Sequence, residues 1–118
     1  MDKAMDDGCT PLFVASQKGH VEVARLLTEA GADMDKARDD GCTPLFVASH
    51  QGHVDVVRVL MERGADIDKA KDNGCTPLYI ASQNGHVDVV RMLLEQGADI
   101  NKACDDGATP LYLSLIHI

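Results

Sequence analysis

Gly41-Cys42-Thr43-Pro44-Leu45-Phe46-Val47-Ala48-Ser49 is the stretch that decides the fold. Its opening Gly-Cys-Thr-Pro-Leu also stands at residues 8–12 and 74–78, and Gly-Ala-Thr-Pro-Leu stands at residues 107–111. Two further signatures keep the same stride: Gly-His-Val begins at Gly19, Gly52 and Gly85, and Gly-Ala-Asp at Gly31, Gly64 and Gly97. The stride is about 33 residues, a length typical of stacked helical repeats. Neighbouring units, 2–34 with 35–67 and 35–67 with 68–100, agree at roughly 24 of 33 positions, and a partial unit follows over 101–113.

Each unit reads as turn, helix, turn, helix, turn. Asp-Asp-Gly at residues 6–8 and 39–41 is turn chemistry, because Asp tolerates unusual backbone angles and Gly takes positive φ. Thr10, Thr43 and Thr76 are placed to N-cap a first helix. The proline that follows suits its first position, where the missing N–H is no loss. In the first unit that helix ends near Gln17 or Lys18, with Gly19 as its stop. A second helix is expected from Val21 to Ala30. Glu22, Asp55 and Asp88 lie in its first turn, where carboxylates suit the positive end of the dipole. Its apolar arc, with Val21, Val23, Ala24, Leu26 and Leu27 on adjoining faces, is too wide for one buried side and predicts neighbours on both. The expected class is all-α.

These landmarks resemble an ankyrin-repeat array. The resemblance spans residue 2 to about residue 113 and implies a solenoid of stacked antiparallel helix pairs with projecting β-turns. It also implies a protein–protein interaction module that contacts its partner through turn tips and the concave face of the first helices. Carried onto this chain, the implied contacts are Arg38, Asp40, Phe46, His50, Gln51, Lys71, Asn73, Tyr79, Gln83 and Asn84. The alternative is an accessory or regulatory repeat segment of a longer enzyme or channel. The family usually has His after Thr-Pro-Leu, whereas here Phe13, Phe46, Tyr79 and Tyr112 stand, which are all the aromatic residues of the chain. Such a column either packs between neighbouring first helices or lines the groove as interface anchors. The change from Phe to Tyr predicts that the later rungs reach water or a partner.

Composition narrows the function. The chain has 118 residues, is 45% hydrophobic and carries a net charge of −8. That balance excludes nucleic acid, whose binders need basic surface, and an anionic membrane surface. It favours basic protein partners. No stretch of about 18 apolar residues is present, and residues 1–7 hold no apolar signal-peptide core. The expected state is an intracellular, cytoplasmic monomer without cofactor, metal or catalytic residues.

The recurrent polar residues fit no catalytic or metal-binding pattern. Cys9, Cys42 and Cys75 recur at the stride of stacked units, which lie about 10 Å apart, beyond the roughly 7 Å Cα limit for a disulfide. They are expected as reduced thiols, consistent with an intracellular compartment, and without a close ligand pair they do not match a zinc site. Cys104 is expected exposed at a turn tip. His20, His53 and His86 are expected to hydrogen-bond across the turn between helices. The Asp-rich turn around Asp66, Asp68 and Asp72 is interrupted by Lys69-Ala70-Lys71 and has no bidentate Glu, so it does not fit a calcium loop. Ser16, His20 and Asp33 lack the glycines of a nucleophile elbow. The final Leu-Ser-Leu-Ile-His-Ile, residues 113–118, breaks register and resembles the in-frame translation of a sequencing-library adapter. Native sequence is therefore expected to stop near Leu113, with 114–118 a foreign tail.

Overall fold

The computed structural model describes residues 7–102 and 104. Most of the partial fourth unit, with the Tyr112 rung, and the suspected tail lie outside the described residues. Six helices are described: α1 (Pro11–Lys18), α2 (Val21–Glu29), α3 (Pro44–Gln51), α4 (Val54–Glu62), α5 (Pro77–Gln83) and α6 (Val87–Glu95). No strand occurs among the described residues.

The local rules act as the sequence implies. The Thr10, Thr43 and Thr76 hydroxyls each accept a hydrogen bond from the backbone N–H three residues on, at 3.1 Å, and each threonine is buried. Thr43→Ala is therefore expected to cost about 1 kcal/mol, through one orphaned helix N–H. Urea denaturation read by helical circular dichroism measures that loss.

Helices α1, α3 and α5 form one row, and α2, α4 and α6 a second. The core runs between the rows through Leu12, Leu45, Leu60, Leu78 and Leu93, with the small Ala15, Ala48 and Ala81 letting the first helices approach closely. The wide apolar arc finds its two neighbours in α4, where Val56, Val57, Val59 and Leu60 are all buried. In α2 the equivalent Val23 and Leu26 are 47% and 64% exposed, since no described unit lies on that side.

Polar ladders stitch the units together. Adjacent turns are joined by backbone bonds from Asp39 N to Asp7 O at 3.0 Å and from Asp72 N to Asp40 O at 3.1 Å. Along the opposite loops, Asp35 accepts from Asp66 N at 2.9 Å and Asp68 accepts from Asp99 N at 3.1 Å. Lys69 and Lys102 donate to the Asp35 and Asp68 carbonyls at 2.8 and 3.0 Å.

The histidines correct the expectation made for them. His53 Nε2 donates to Gln17 O at 3.0 Å, and His86 Nε2 donates to His50 O at 2.9 Å. Each imidazole thus reaches the first helix of the preceding unit and does not span its own turn. A carbonyl only accepts, so Nε2 carries the proton. Gly52 makes this contact feasible: its φ is 74°, and a Cβ there would lie 2.7 Å from His86 ring atoms.

Candidate functional site

The turn position that differs from unit to unit builds the site. Its occupants, Arg38, Lys71 and Cys104, each lie against the ring of the preceding first helix. The Arg38 guanidinium carbon is 5.0 Å from the Phe13 ring centroid, and Lys71 Nζ is 5.5 Å from that of Phe46. Both are cation–π distances. Cys104 packs with Tyr79 and Cys75. The rings themselves are core: Phe13, Phe46 and Tyr79 are 0%, 5% and 4% exposed. The column therefore packs between first helices, and the expectation that its Tyr79 rung reaches water is corrected. The residue of the next turn covers each ring, and the added phenol hydroxyl does not bring Tyr79 to the surface.

Asp40 organises the cluster. It accepts from Arg38 Nε at 3.1 Å and from Arg38 Nη2 at 2.6 Å, and Lys71 Nζ approaches it at 3.7 Å. Its Oδ1 also accepts from Cys42 N at 3.1 Å, closing an Asx turn. Asn73 does the same in the next unit, accepting from Cys75 N at 3.1 Å. The Arg38 hydrogen bonds hold the Asp40 carboxyl down at about 2. Burial pushes the Cys42 thiol up to about 11. The depressed carboxyl fixes a sign. Its stabilising contribution is complete above about pH 4, the unfolded value, and is lost as pH falls through about 2. The Asp40 side chain is 40% exposed, so solvent screening keeps that contribution small. Asp40→Asn retains the turn acceptor, as Asn73 illustrates. In urea titrations it is expected to trail the parent at pH 7 and to converge on it below pH 2.

Beside this cluster lies a shallow cavity of about 160 Å³, lined among others by Gln17, Arg38, Val47, His50, Gln51 and Lys71. The structure thus brings together Arg38, Asp40, Phe46, His50, Gln51 and Lys71 of the expected contacts. Of these, His50 and Gln51 are exposed and Phe46 forms the floor. Gln83, Asn84 and Asn73 are exposed one unit further along. The Asn84 amide is engaged there, donating to His50 O at 3.1 Å.

Cys104 departs from its reading as an exposed turn residue. It is 6% exposed and forms a disulfide with Cys75, with Cα atoms 4.4 Å apart. Cys9 and Cys42 are free and buried. Expecting all three recurrent cysteines as thiols was therefore wrong for Cys75. Its partner lies in the following turn, 29 residues on, and not at the equivalent position of a neighbouring unit. The same offset separates Cys9 from Arg38 and Cys42 from Lys71, so the signal lay in an offset four residues short of the repeat.

A stack of helix pairs joined by turn ladders defines a repeat protein. The model of the family described as ankyrin repeats (3 copies) matches residues 1–71 and 64–117, and the chain belongs to that family. Ankyrin repeats are generally protein-interaction modules and are typically non-enzymatic. No curated protein matches the chain. No helix among the described residues is long and apolar enough to cross a membrane.

Proposed function

We propose that the chain binds a protein partner along its turn tips and the face of its first helices. The observation that carries this reading is the cavity beside the Arg38–Asp40–Lys71 cluster. It combines a buried aromatic floor with charged and amide groups at its rim. Arg38, Asp40, His50, Gln51, Lys71, Asn73, Gln83 and Asn84 are the proposed contacts. Phe46 and Tyr79 act as the platform that fixes the cations above them. A backbone locked by inter-unit ladders presents these groups with little ordering cost on binding. The net charge of −8 favours basic partners and makes their association salt-sensitive. On this reading the protein is a non-catalytic monomer that works inside the cell without a cofactor.

The test takes a partner recovered by affinity capture and rebinds it as pure protein. Arg38→Glu combined with Gln51→Ala is expected to weaken binding at least tenfold while the helical circular dichroism is unchanged. Unaltered affinity in that variant refutes the proposed surface.

A further inference from the structure

At the first two described rungs of the turn column a cation covers an aromatic ring, while at the third Cys104 meets Cys75 beside Tyr79. The third rung thus exchanges a cation for a sulfur placed against the one recurrent cysteine that is half-buried; Cys9 and Cys42 are 8% and 3% exposed. The same chain therefore holds two kinds of cysteine. Two are sealed and face a guanidinium or an ammonium across the turn, and the third faces another thiol.

We propose that Cys75 and Cys104 form a thiol–disulfide exchange site that fastens the chain after α6 to the turn of the preceding unit in a redox-dependent way. Low-molecular-weight thiols of the glutathione type, and their disulfides, are the co-reactants. In the opening direction, the thiolate of one small molecule attacks the sulfur of Cys75, the less buried residue of the two. A mixed disulfide forms and Cys104 leaves as a thiolate that takes up a proton. A second small thiolate then attacks the small-molecule sulfur of that mixed disulfide and displaces Cys75. The protein gains two electrons and two protons, and the small molecules leave as one disulfide. Closure is the reverse reaction. The cross-link closes a loop of sequence separation 29, so opening it releases Cys104 from its covalent tie to the turn of the third unit.

The site is read out without any binding partner. Chain equilibrated with oxidised glutathione and then unfolded in guanidinium without reductant is expected to alkylate at Cys9 and Cys42 alone. After dithiothreitol all four cysteines label. Melting followed by circular dichroism is expected to fall by about 5 °C or more when dithiothreitol is added to the oxidised chain. No reductant effect is expected in Cys104→Ser or in Cys104→Lys, the latter restoring the cation that Lys71 supplies one unit earlier. Four labelled cysteines in the glutathione-oxidised chain overturn the proposal. So does a reductant effect of equal size in the parent and both variants, or none in the parent.

Discussion

Leu60→Ala is expected to destabilise the chain by about 2–5 kcal/mol, the range for emptying a well-packed leucine site. Leu60 is fully buried in α4, the middle helix of the second row, where α2 packs on one side and α6 on the other. Stability in a stacked array is the sum of unit terms and nearest-neighbour interface terms. A cavity in the central unit weakens two interfaces together. The equivalent Leu27 of the first unit is only half-buried, so Leu27→Ala is expected to cost less. Urea denaturation of the two variants beside Thr43→Ala gives the order Leu60→Ala worst. A Leu60→Ala midpoint no lower than that of Thr43→Ala contradicts a core shared between units.

Gly52→Ala is the second large effect, expected at about 2–3 kcal/mol. Two causes add. A φ of 74° is left-handed backbone, which costs a residue with a Cβ roughly 1–2 kcal/mol. The new methyl also lands 2.7 Å from the His86 ring, forcing it off the His50 carbonyl and forfeiting a hydrogen bond of about 1 kcal/mol. The causes separate in a double-mutant cycle. In a His86→Ala background the ring is gone, and the cost of Gly52→Ala is expected to drop to the backbone part alone. Equal costs in both backgrounds would show that the imidazole contributes nothing there.

The helix pairs were legible because their signals are local. Thr-Pro starts α1, α3 and α5, and the spacing of apolar residues marks α2, α4 and α6. The period also announces that whatever one unit does, the next repeats. It does not say which residues of adjacent units face each other, because that depends on how far one unit is displaced from its neighbour. His53 meeting Gln17 and Cys104 meeting Cys75 are both of this kind, 36 and 29 residues apart and neither at the repeat length. The burial of Tyr79 was hidden for a related reason, since its cover comes from the next unit's turn. Of the site, the variable turn position was readable as variable. That Arg38 and Lys71 share Asp40 is a property of the folded stack alone.

The imidazole that completes the end of α1 and of α3 belongs to the following unit, which makes these ladders editable in whole unit lengths and in no other. Excising residues 35–67 as one piece returns His86 to the Gln17 carbonyl and Asp72 to the Asp7 carbonyl, so every donor of these ladders keeps an acceptor of the same kind. A deletion a few residues longer or shorter strands them all at once. Gain or loss of a whole unit is therefore built into the bonding pattern of these ladders, while the variable turn residues set what each added or lost rung carries.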